Sequence, residues 1–240
     1  MARGNAGVEI LSNVDSGLRN FMLKVYNYMT TGLLLSGFVG YMLIRTGAIA
    51  MFFSVSPEGA VGFNILGWVA LLSPLLMVFL CANAASKSNP GKAKALFFLY
   101  SALMGMSIGI ILLSYQIESV FAVFAITAGT FAALSLWGYT TRKSLTAMGS
   151  FLFMGLIGII IAMVVNLFIR SGTASLAISV LAVLIFAGLT AYDTQRIRNS
   201  YNERAPAEVQ DSLAVWGALA LYLNFINLFF HLLRLLGNRQ

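Results

Sequence analysis

The sequence predicts an all-α integral membrane protein with seven transmembrane helices. Three observations predict it. Of the 240 residues, 59% are hydrophobic and only 10% are charged. A soluble domain carries about 25% charged residues, and a chain so poor in charge cannot cover a globule with polar surface. The mean hydropathy is +0.86. The apolar residues also fall into long runs, each near the roughly 20 residues that a helix needs to cross the hydrocarbon core.

Residues 1–20 are polar and mixed in charge. They lack the short apolar core of a cleavable signal peptide, so a polar N-terminal segment is expected there. Residues 21–240 are read as a single seven-helix domain. The first span covers 21–44 and the second 62–82, with the break Ser56-Pro57-Glu58-Gly59 between them. A basic break from Lys87 to Lys94, around Pro90-Gly91, precedes the third span, 95–115. On that span Ser101, Gly105 and Gly109 form a small-residue stripe that lets helices approach closely. A minimal link near Gln116-Ile117-Glu118 leads into the fourth span, 118–139. Thr140 to Lys143 separates it from the fifth, 148–169, which holds Asn166, an amide expected to bridge helices. The sixth span is 173–193, and no charge occurs from Ala174 to Tyr192. The polar stretch 194–211 reads as a loop, with Pro206 suited to the first turn of the seventh span, 211–236.

Orientation follows the Lys and Arg bias of the loops. With the N-terminus inside, eleven basic residues face the cytoplasm: Arg3, Arg19, Lys24, Lys87, Lys92, Lys94, Arg142, Lys143, Arg196, Arg198 and Arg204. Four lie outside: Arg45, Arg170, Arg234 and Arg239. The prediction is N-terminus cytoplasmic, C-terminus outside, with Asp193 at the inner face.

Composition removes several functions. The net charge of +7 is scattered over several loops, which suits a membrane surface and not nucleic acid. Cys81 is the single cysteine and His231 the single histidine, so no internal disulfide, tight metal centre or cofactor is expected. Gly105-Met106-Ser107-Ile108-Gly109 matches G-x-S-x-G. That motif needs a strand–turn–helix elbow. Here it lies inside a continuous apolar run, and Ser107 would need the distant His231 as its base. No enzyme activity is expected.

Two features remain. On the seventh span, Gly217, Ala220, Asn224, Asn227, His231 and Arg234 recur at alternating spacings of three and four, which is one helical face. Polar side chains are expensive in lipid, so this face turns toward protein or water. It is either a packing seam or the lining of a cavity. At the end of the sixth span stands Gly188-Leu189-Thr190-Ala191-Tyr192-Asp193-Thr194-Gln195-Arg196-Ile197. Asp193 is either a boundary residue paired with Arg196 or Arg198, or a carboxylate that contacts ions or senses protons. Desolvation favours its neutral form and the arginines its charged form.

That decapeptide resembles the signature of the Bax inhibitor family, the transmembrane Bax inhibitor motif proteins. LYLNFINLFFHLLRLLG at 221–237 is similar to the family's last helix, and VYNYMTTGLLLSG at 25–37 to its first. Span count and loop layout agree over nearly the whole chain. The resemblance implies a bacterial member with six helices surrounding a central C-terminal one. For characterised members it also implies a pH-sensitive calcium leak. Two hydrogen-bonded aspartates on the last two helices bias its opening, and a basic residue at the inner end of the second helix helps hold it closed. Carried over by position, the first aspartate is Asp193, the second is replaced by Asn224, and Lys87 is the nearest candidate for the closing residue. Asn227 and Arg196 are further candidates for pore or closed-state contacts.

The replacement has a chemical consequence. Two adjacent carboxylates share a proton because they repel. An amide instead donates to an ionised carboxylate and favours the charged form. A gate built on Asp193 and Asn224 would respond at lower pH than one built on two acids, or not at all. Calcium prefers six to eight oxygen ligands, so Asp193 offers only a weak site, which suits a permeant ion. The alternative is a non-conducting regulator that binds other membrane proteins, such as a membrane protease.

Overall fold

The computed structural model describes residues 2–55, 61–86 and 89–239. Among them are seven α-helices: α1 (Ala2–Arg45), α2 (Ile65–Ser86), α3 (Pro90–Leu112), α4 (Ile117–Thr140), α5 (Thr146–Ile169), α6 (Gly172–Ser200) and α7 (Ala207–Leu236). A 3-10 turn, Ala48–Phe52, and two short strands, β1 (Phe53–Val55) and β2 (Val61–Phe63), lie between α1 and α2. The all-helical class expected from composition holds. Five helices, α3 to α7, are long and apolar enough to cross a membrane. The two remaining expected spans coincide with α1 and α2. Asn27, Thr30, Thr31 and Ser36 dilute the apolar run of α1, and the apolar stretch of α2 among the described side chains is Ile65–Pro74.

Several element boundaries differ from the sequence reading; α1 already begins at Ala2, within the segment read as polar. Val61–Phe63, whose last two residues were read as the start of the second span, is a strand paired antiparallel with Phe53–Val55. Phe53 and Phe63 face each other with ring centroids 5.2 Å apart, and Asn64 closes the hairpin by donating to Met51 O at 2.7 Å and accepting from Gly67 N at 3.0 Å. The polar stretch 194–211 is mostly helix: α6 continues to Ser200, α7 starts at Ala207, and the connection is only 201–206. Pro206 precedes α7 instead of occupying its first turn; its carbonyl accepts from Val209 N and Gln210 N. Asn166 is no interhelical bridge. Its side chain accepts from Ser171 N at 3.2 Å, and Arg170, at φ 55, ends α5 in the left-handed conformation.

The chain forms two compact units: Met1–Leu113 with Ser200–Leu219, and Ser114–Asn199 with Ala220–Gln240. In the first unit α1 packs along α3 through small residues. Ser36 Oγ donates to Ser101 O at 2.7 Å, and a methyl group added at Gly40 would sit 3.0 Å from Gly105 O. Gly32, Ser36 and Gly40 of α1 therefore face Ser101, Gly105 and Gly109 of α3, so the predicted stripe closes an internal helix pair. Ser107 lies within α3 and donates to Ala70 O of α2 at 2.8 Å. Asp211, early in α7, accepts from Lys24 of α1 and from Lys94 of α3, the latter at 3.1 Å.

The second unit has a core of Leu152, Ile159, Ile178, Ala182, Phe186, Leu189 and Leu228. Phe225 of α7 meets Phe124 and Phe131 of α4 edge-on at 5.6 and 5.5 Å. The five apolar helices are unequally covered. Protein buries 67% of the most apolar stretch of α7 but 11% of that of α5. The outer surface of α5 carries Phe151, Met154, Ile157, Ile161 and Leu167, all exposed. Such a surface is stable against lipid and not against water.

Candidate functional site

Asp193 lies in the second unit, about two turns before the end of α6. Small contacts set the position of that segment. A methyl group on Gly138 of α4 would collide with the backbone of Ala191, and one on Gly149 of α5 with the ring of Tyr192. The neighbouring hydroxyls are satisfied within the helix or by α4. Thr190 Oγ1 donates to Phe186 O at 2.8 Å, and Thr194 Oγ1 donates to Thr190 O at 2.8 Å and lies 3.0 Å from Ser135 Oγ. The polar residues at the end of the motif thus continue the helix because each has a partner.

The Asp193 side chain is only 7% exposed. Its Oδ2 accepts from Asn224 Nδ2 of α7 at 2.8 Å, and Asn224 is buried too. Its Oδ1 lies 2.8 Å from Arg196 Nη2. That contact pairs the charges without hydrogen-bond alignment, and Oδ1 receives no aligned donor. The two readings of Asp193 are both realised in the geometry: it is ion-paired with Arg196, and it meets position 224 of the last helix. Arg198 is not its partner. Its guanidinium donates to Tyr139 O and Thr141 O at the end of α4.

The other candidates are placed differently. Asn227 does not join the pair; its amide donates back to Leu223 O at 2.8 Å. Lys87 lies outside the described residues. His231 of α7, half-buried, stacks on Phe186 at 6.1 Å and lies 3.4 Å from Ser179 Oγ, so it packs against α6. Arg234 donates to Ser175 Oγ. Among the described residues no three acids, histidines or cysteines come together.

One residue escaped the sequence reading. Gln195 is buried, accepts from Leu145 N at 2.8 Å and donates to Lys143 O at 2.9 Å. With Arg198 it fastens the α4–α5 loop to the turn of α6 that follows Asp193. Its place in the motif beside Asp193 was visible; its partner, a loop backbone some fifty positions earlier, leaves no side-chain signature in sequence.

These features define a helical membrane protein whose buried carboxylate is held by an amide and an arginine where α6 meets α7. A family model described as inhibitor of apoptosis-promoting Bax1 matches residues 18–240. A protein of Caulobacter vibrioides is 43% identical over 95% of this chain and 92% of its own length. Inner membrane protein YbhL of Escherichia coli K12 is 37% identical over 94% of each chain. A membrane protein of Streptococcus pyogenes serotype M1 is 37% identical over 96% of this chain and 98% of its own. The chain belongs to the Bax inhibitor family.

Proposed function

We propose that this protein is a pH-sensitive calcium leak channel of the bacterial inner membrane, with Asp193 and Asn224 as its gating pair. The observation that carries the reading is the 2.8 Å hydrogen bond from Asn224 to the buried Asp193. A buried acid on an apolar helix is expensive and is a functional group by default. Protonating Asp193 removes the charge that holds Arg196 and turns an amide–carboxylate bond into a weaker neutral one. The α6–α7 seam loosens as a result. The N-terminus is cytoplasmic and the C-terminus outside, as the Lys and Arg bias suggests. The last helix is the most deeply buried of the five apolar helices. The name of the Escherichia coli relative supports the inner membrane. The protein needs no cofactor and is not an enzyme; calcium is its cargo and the bilayer its solvent.

The test is calcium flux into liposomes across pH 5 to 8. Wild type should leak above empty vesicles, with flux rising as pH falls. Asp193→Asn, locked in the neutral state, should leak at all pH values. Wild-type flux equal to that of empty vesicles across the range refutes the channel. The replacement of the second acid by Asn224 favours a second reading, a non-conducting regulator of a membrane partner such as a protease. Crosslinking in native membranes followed by identification of the captured protein tests it.

A further inference from the structure

The α4–α5 loop carries Arg142 and Lys143, both exposed. Neither makes a side-chain ion pair within 4 Å of a described acid. Two anchors hold the loop against the turn of α6 that follows Asp193. Gln195 binds the backbone at Lys143 and Leu145, and Arg198 binds it at Tyr139 and Thr141. Tyr192, one turn back, lies against Gly149 at the start of α5, and the Arg196 guanidinium sits 5.7 Å above its ring. The loop that carries Arg142 and Lys143 is therefore bonded to Gln195, the chain neighbour of Arg196, on the same end of α6. Trp137, three residues before the end of α4, is 48% exposed. Tryptophans at helix ends mark the level of the lipid headgroups, so the loop just beyond it meets phosphate groups and not bulk water.

We propose that Arg142, Lys143 and Arg196 form a binding site for an anionic phospholipid headgroup, and that the headgroup competes with Asp193 for Arg196. Arg196 is built for such exchange. Its side chain is 40% exposed, and its contact to Oδ1 is an unaligned ion pair. A guanidinium prefers a bidentate phosphate to such a contact. The loop bears fixed charges because its backbone is clasped, so binding need not order it first. A bound headgroup would leave Asp193 with its Asn224 hydrogen bond and no ion-paired cation. This second step rests on the proposed role of Asp193; the lipid site itself does not.

The full chain is placed in nanodiscs of phosphatidylcholine doped with phosphatidylglycerol, and the lipid that copurifies is counted by native mass spectrometry. Wild type should enrich phosphatidylglycerol, and Arg142→Gln/Lys143→Gln should lower that preference by on the order of tenfold, as expected for two basic groups at a membrane surface. Equal enrichment in wild type and the double variant overturns the site. Displacement by millimolar inorganic phosphate overturns the headgroup as its ligand. Melting temperatures of both proteins in pure phosphatidylcholine should coincide, which separates lost binding from lost folding. In flux vesicles, phosphatidylglycerol should change the leak of wild type several-fold and leave Arg196→Gln unchanged. An equal lipid effect on both overturns the competition for Arg196. No flux in any sample instead refutes the channel and leaves the lipid count standing.

Discussion

Changing Asn224 to Asp would restore a second acid with almost no change of shape. It replaces the amide nitrogen 2.8 Å from Asp193 Oδ2 with an oxygen. Two ionised carboxylates in this geometry have charge centres roughly 4 Å apart. At an effective dielectric near 20 they repel by about 4 kcal/mol. At 1.36 kcal/mol per pH unit, that corresponds to about three units. Arg196, 2.8 Å from Oδ1, offsets part of the repulsion. The pair should therefore hold one shared proton to a pH roughly one to three units above the wild-type response. Two assays read it. The pH midpoint of calcium flux should move up by that amount, and infrared spectra should show a protonated carboxyl band that persists to higher pH than any in wild type. A midpoint that stays or moves down, together with no such band, refutes the electrostatic reasoning. Lost flux with the band present would instead separate the proton site from conduction.

Two further substitutions test the scaffold. Gln195→Leu leaves the buried Leu145 N–H and the Lys143 carbonyl without their partner; each unmade bond costs about 1–3 kcal/mol, so the melting temperature should fall and the Leu145 amide should exchange faster with solvent. Gly105→Leu forces a side chain into Ser36 and Val39 of α1; overpacking of this kind costs about 1–3 kcal/mol, and a variant that melts with wild type would refute the close approach of α1 and α3.

Much of this fold was legible because lipid imposes length and apolarity together, so α3 to α7 stand out as long uncharged runs. The misread helix boundaries share a cause: polarity was taken for loop. Thr194, Gln195 and Arg198 look like the start of a connection, yet each finds a partner on α4 or on the loop after it, and helix α6 runs on to Ser200. The strand pair Phe53–Val55 and Val61–Phe63 was missed for another reason: three-residue strands beside a break leave no periodicity to detect. At the site, Asp193 and Asn224 were legible as a pair through family resemblance. Arg196 was legible through its i, i+3 spacing, which decided against Arg198 only once Arg198 was seen at the end of α4. Asn227 shared the helical face of Asn224 but bonds to its own backbone, a choice that spacing alone does not reveal.

The energetic case for Asp193 comes from the alternatives the chain did not use. The surrounding seam is closed by side chains that need no water: Leu189, Leu228, Ala182 and Phe186 pack tightly, and the threonines of α6 satisfy themselves within the helix. A leucine at 193 facing a leucine at 224 would join that packing at no electrostatic expense, and replacing buried ion pairs by well-packed apolar residues is often stabilising by about 1–4 kcal/mol. Instead the chain keeps a carboxylate, the only buried acid among the described residues. It gives that acid one aligned donor and one unaligned cation. A purely structural pair would be expected to fill both oxygens, since an unfilled acceptor in a dry site is a standing penalty. Of the two partners of Asp193, half-buried Arg196 is more accessible than buried Asn224. Stability alone favours the apolar pair; the proposed proton-sensing role would account for the carboxylate.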